Sequence, residues 1–198
     1  MNFDSLRGLL FLGHYTHEKY AEEKIVESMK QANKRIELFT IALEKNFYTY
    51  EVGSIVGKHI FNKKKTEIVM NNYNSGNASK DIEELINNHE AFFRAIIDEE
   101  KQNFSTNKSV DNFRVYLPPH DMKQGGGLLV IDNTSAILSR NTYRPYECFM
   151  QKDNTEYAGK FMRLIARMRA NPMLKTYEGQ KVIDYAKEMF GNQSNSKL

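Results

Sequence analysis

The chain has 198 residues, 40% of them hydrophobic, with no Trp, a single cysteine and a formal net charge of +3. That length suits one compact domain, and one thiol, Cys148, excludes an internal disulfide framework and fits a cytoplasmic protein. No run approaches the roughly 18 apolar residues of a membrane span, so no membrane partner is expected.

The small net charge hides an asymmetry. Residues 1–139 carry 17 Lys and Arg against 19 Asp and Glu, whereas residues 140–181 carry nine against four. A local excess of cations, five of them arginines, points to a polyanion, or else to a solvated helix face.

In chain order, residues 1–16 read as an N-terminal arm. Its Leu9-Leu10-Phe11-Leu12 patch is too short for a secretory signal. Thr16 is a candidate N-cap, and Tyr20, Ile25, Val26, Met29 and Ala32 recur at helical spacing, giving a helix over about 17–33. "RIELFTI" (35–41) reads as a strand. "YTYEVGSIVGKHIF" reads as a helix weakened by Gly53 and Gly57, and "KTEIVMNN" (65–72) as a second strand. Ser79 opens one long helix to Gln102, with Ile82, Leu85, Ile86, His89, Phe93, Ile96 and Ile97 on its apolar face. Strands follow at 112–117, 127–131, 135–139 and 146–151, the middle two joined at Asn133-Thr134. Two helices, about 154–170 and 173–190, close the domain, with Pro172 as a helix start. Residues 192–198 read as a disordered tail. The domain over 17–191 is therefore α/β, with a mixed sheet flanked by helices on both faces and two C-terminal helices.

Chemistry-bearing residues are sparse. Gly125-Gly126-Gly127 precede a strand, whereas a phosphate-binding glycine loop follows a strand and opens a helix. A loop or bulge at strand entry is the simpler reading. His14, His17, His59, His89 and His120 are scattered, with no zinc-ligand spacing, so neither a metal nor another cofactor is expected. His120, Asp121 and Lys123 form either a functional loop or a solvated turn. Cys148 reads as an inert buried thiol.

Two segments together, "AEEKIVESMKQANKRIELFTIAL" (21–43) and "GGGLLVIDNTSAILSRN" (125–141), resemble the phospholipase D-like superfamily. That family's catalytic motif runs His, Lys two residues on, Asp five after the Lys, then a Gly-Ser pair and an Asn. Two antiparallel strands carry it. Here Leu128–Ile131 and Asp132 match the first strand, and Ser139 and Asn141 match the end of the second, one residue early. The catalytic His and Lys fall on Gly125 and Gly127. The resemblance implies a single phospholipase D-like domain whose motif is degenerate. An imidazole nucleophile and a lysine to hold phosphate oxygens are both absent from those positions.

The expectation is a non-catalytic domain that binds RNA or DNA around the motif hairpin. Arg140, Arg144, Lys123 and His120 would contact phosphates, and Tyr143 would stack on bases. Lys160, Arg163 and Arg167, at helical spacing, supply a second backbone contact. Two rival readings stand beside it. One is an interaction module that self-associates as a homodimer or larger oligomer through the last two helices. The other is a divergent phosphodiesterase using His120, Lys123 and Asp132.

Overall fold

The computed structural model describes residues 10–15, 18–40, 48–62, 64–70, 75–102, 110–118, 127–132, 135–140, 146–151 and 155–195. The elements are β1 (Leu10–Tyr15), α1 (Glu18–Gln31), β2 (Arg35–Thr40), α2 (Tyr50–Phe61), β3 (Lys65–Val69), α3 (Ala78–Asn88) and α4 (Glu90–Gln102). They continue with β4 (Phe113–Leu117), β5 (Gly127–Ile131), β6 (Ser135–Arg140), β7 (Tyr146–Gln151), α5 (Thr155–Arg169), β8 (Lys175–Glu178) and α6 (Gly179–Asn195).

The eight described strands form one sheet, in the order β1-β7-β6-β5-β2-β3-β4-β8. β2, β3 and β4 are parallel, joined by helical crossovers. The other neighbouring pairs are antiparallel. Strand side chains alternate between faces, and the two faces differ. Ile36, Leu38, Ile68, Val115, Leu129 and Ile131 enter one apolar core with residues of α1, α2, α3, α4 and α6. On the other face lies α5, which buries Ala158, Phe161 and Ile165.

The α/β layout with helices on both faces follows the sequence pattern, and so do most element bounds. Gly53 and Gly57, which lower helix propensity, have a packing reason. A Cβ on Gly53 would lie 2.3 Å from the Phe92 carbonyl oxygen, so glycine lets α2 lie directly on α4. Thr49 caps α2, accepting from the Val52 N–H at 3.3 Å.

Four features depart from expectation. Residues 10–15, assigned to the arm, form edge strand β1, paired antiparallel with β7. The long helix breaks at His89, whose φ of −132° and ψ of 39° leave the helical region. The ring of His89 is buried there, 4.7 Å from that of Tyr48. The stretch after Pro172 enters strand β8 before α6 begins. Its Tyr177 hydroxyl donates to Asp81 at the start of α3 (3.1 Å), and a Cβ on Gly179 would meet the Phe113 ring at 2.2 Å. Tertiary pairing with β4 overrides the local helical reading. Finally, α6 continues to Asn195, into the stretch read as a disordered tail, its backbone hydrogen bonds made within the helix.

Candidate nucleic-acid interface

Register places the Gly127–Ser139 end of the β5–β6 hairpin at the carboxyl end of β2. Thr40, the last residue of β2, pairs with Gly127, the first of β5, and Gly127 pairs with Ser139. One residue further, Arg140 pairs with Glu147, and Glu147 with His14. β2 has a parallel neighbour, β3, on one side and an antiparallel one, β5, on the other. Gly125, His120, Lys123, Asn141, Tyr143 and Arg144 adjoin this end in sequence but lie outside the described residues.

Asp132 lies at the opposite end of β5, five residues and about 16 Å away at the usual strand rise. Its φ of 53° is left-handed, a conformation that Asp tolerates better than most residues. Its carboxylate accepts the N–H groups of Asn33 (2.7 Å), Lys34 (2.6 Å) and Arg35 (2.8 Å). Its own N–H donates to the Arg35 carbonyl at 3.0 Å. Partial burial opposes ionisation, but the three donors prevail and hold the carboxyl below its ordinary range. The motif aspartate is thus a clamp joining the β5–β6 turn to the α1–β2 turn. Close by, His59 is buried in α2. Burial and the Lys64 ammonium push its pKa down, against the pull of Asp132 and the Ala32 carbonyl.

α5 packs against β5 and β6, the motif strands. Lys160, Arg163 and Arg167 are all exposed on it. Lys160 reaches Glu156 at 2.9 Å, an exposed pair one turn away. The last residue, Arg169, turns the other way. Its Nη2 lies 2.7 Å from Glu37 Oε2 and 2.5 Å from Glu67 Oε2. These two glutamates face each other in register on β2 and β3 and are only 1% and 5% exposed. Arg35 also contacts Glu37 and lies 3.7 Å from Glu67. Lys65 lies 3.4 Å from Glu67, and the Tyr116 hydroxyl donates to Glu67 at 3.4 Å. Burial lowers the Arg35 pKa, and the neighbouring Arg169 charge adds to that. Burial and then the Glu67 charge raise the Tyr116 pKa.

The sequence reading of the site overlooked this network. A signal was present: "RIEL" and "KTEI" repeat basic-x-Glu-apolar on two strands, each placing a glutamate mid-strand. Among the described residues no cluster of His, Cys, Asp or Glu could hold a metal. Nor do they include a helix long and apolar enough to cross a membrane.

With this geometry in view, solved structures decide the fold. A phospholipase D family member, Nuc from Salmonella typhimurium, superposes with a TM-score of 0.50, at 9% identity over 79% of this chain and 90% of its own.

The chain has a phospholipase D-like fold.

TrmBL2, described as an archaeal chromatin protein with a novel mode of DNA binding, superposes with a TM-score of 0.52, at 14% identity over 85% of this chain. The match spans 56% of TrmBL2, so it concerns part of that protein. No protein-family model matches the chain, and no curated protein matches it in sequence.

Proposed function

We propose that this phospholipase D-like domain binds nucleic acid without cleaving it. The observation that carries the reading is the outer face of α5. Lys160, Arg163 and Arg167 are exposed together on α5, which packs against β5 and β6. Phosphate contacts by Lys and Arg supply the sequence-independent part of nucleic-acid affinity. The cation excess of residues 140–181 is continuous with Arg140 at the end of β6 and Arg144 beyond it. DNA binding by a fold neighbour is consistent with this use of the fold. The non-catalytic part rests on chemistry: glycines at 125 and 127 supply neither nucleophile nor ammonium.

The rival reading is an interaction module that self-associates through the last two helices; among the described residues the large apolar side chains left exposed are Tyr50, in α2, and Met173, between α5 and β8.

The test is a gel-shift panel of single- and double-stranded RNA and DNA at two salt concentrations, scored for binding and for cleavage. Binding should weaken steeply with salt. Arg163→Ala/Arg167→Ala should reduce the log–log salt slope by about 1.4–1.8, because each lost phosphate contact removes roughly 0.7–0.9. A flat salt response, an unchanged slope in the double variant, or cleavage of the oligonucleotide would each defeat the corresponding part of the proposal.

A further inference from the structure

Two buried carboxylates placed side by side are an unusual feature of a sheet centre. Glu37 and Glu67 are register partners on adjacent strands, which lie about 4.8 Å apart. At that separation two like charges in a poorly hydrated site repel unless cations intervene. Arg35 comes from β2 itself and fixes nothing beyond the sheet. Arg169 comes from α5 and reaches both carboxylates with one nitrogen. Its guanidinium also lies 5.6 Å from the centre of the Tyr116 ring. The contacts are governed by charge rather than by aligned hydrogen bonds.

The position of Arg169 in its helix gives this pairing a consequence. Each helical residue advances the direction by about 100°, so Arg167 and Arg169 point to nearly opposite sides. Lys160, Arg163 and Arg167 share the outer side while Arg169 occupies the inner one. A one-residue slip or rotation of α5 would swing the three outer cations by about 100° and withdraw Arg169 from the glutamates. Ala158, Phe161 and Ile165 pack the same inner side against the sheet, and Arg169 adds a charged anchor at the last residue of the helix.

We infer that Arg169 is a positioning residue. It latches α5 to Glu37 and Glu67 and so fixes the direction in which Lys160, Arg163 and Arg167 face. The inference deepens the nucleic-acid reading, but the latch itself does not depend on it.

The decisive variant is Glu37→Gln/Glu67→Gln, which removes the anchor and raises the net charge by two. If affinity for a polyanion followed overall charge, this variant would bind a 20-nucleotide DNA more tightly. If α5 must be latched, it binds more weakly, by about fivefold, with a shallower salt slope. Hydrogen exchange gives a second measurement that needs no nucleic acid. Amides of α5 should exchange about tenfold faster relative to those of α2 and α4 than they do in the wild type. Arg169→Lys, which keeps the charge but not the fork, should fall between wild type and the double variant in both measurements. Unchanged relative exchange in α5, or tighter binding by the double variant, overturns the latch. If the wild type binds no oligonucleotide, the nucleic-acid reading fails and the exchange ratio alone decides the latch. Should Glu37→Gln/Glu67→Gln not fold, Arg169→Lys supplies both measurements.

Discussion

Replacing Asp132 by Asn tests the clamp at the turn of the motif hairpin with little change in shape. Asn tolerates the left-handed backbone at φ 53° nearly as well as Asp, so backbone strain is not the variable. What changes is the acceptor. The carboxylate takes three N–H groups at 2.6–2.8 Å, two of them on one oxygen. An amide keeps one acceptor oxygen and turns an NH2 donor toward a backbone donor. Charge-assisted hydrogen bonds contribute about 1.5–3 kcal/mol each, and two of the three here are solvent-exposed, so a loss of about 2 kcal/mol is the reasonable figure. For a chain of this length that lowers Tm by roughly 4–8 °C. The carboxyl pKa is depressed in the folded state, so its stabilisation is present above the unfolded value near 3.8 and disappears as pH falls through the folded value. Thermal unfolding of wild type and Asp132→Asn should therefore differ at pH 7 and converge toward pH 2. The amides of residues 33–35 should lose protection in the variant. A Tm within about 1 °C of wild type at pH 7, or a gap that persists unchanged at low pH, would refute the clamp.

The glycines supply a pair of predictions of opposite sign. Gly53→Ala must push α2 off the Phe92 carbonyl and should destabilise by about 2 kcal/mol despite its better helix propensity. Gly159→Ala meets nothing nearer than an Arg163 nitrogen at 3.7 Å and should stabilise by about 0.5–1 kcal/mol; urea unfolding of both variants checks the pair. His59 should titrate below 6.5 by NMR. A base whose pKa is lowered on folding favours the folded state above its unfolded value, so that contribution falls away as the solution is acidified below about 6.5. A midpoint at or above 6.5 would contradict the burial argument.

Much of the fold was legible because local signals and tertiary structure agreed. Ile36, Leu38 and Ile68 alternate as strands of a half-apolar sheet should, and Leu85 and Ile86 mark a helix face. The misreadings have a common cause. His89 is compatible with a helix, Lys175–Glu178 with a helix start and Leu10–Tyr15 with an arm. Each takes its observed form from a distant partner: the Tyr48 ring, strand β4 and strand β7. Sequence spacing also found the outward cations of α5, because helical periodicity alone puts Lys160, Arg163 and Arg167 together. It could not find Arg169, whose partners Glu37 and Glu67 lie more than 100 residues earlier and meet it only once β2 and β3 are paired. Asp132 was singled out by motif spacing, yet its observed partners belong to a turn 97–99 residues away.

The separation of Gly127 from Asp132 along β5 divides the hairpin into two regions with independent constraints. One end is welded to the helix–strand turn beneath it and tolerates little change. The other contributes regular strand pairing at Gly127, and the clamp does not depend on which side chain stands there. A substitution at Gly127 would leave the hairpin's anchorage at Asp132 intact, so the two ends of β5 can change separately.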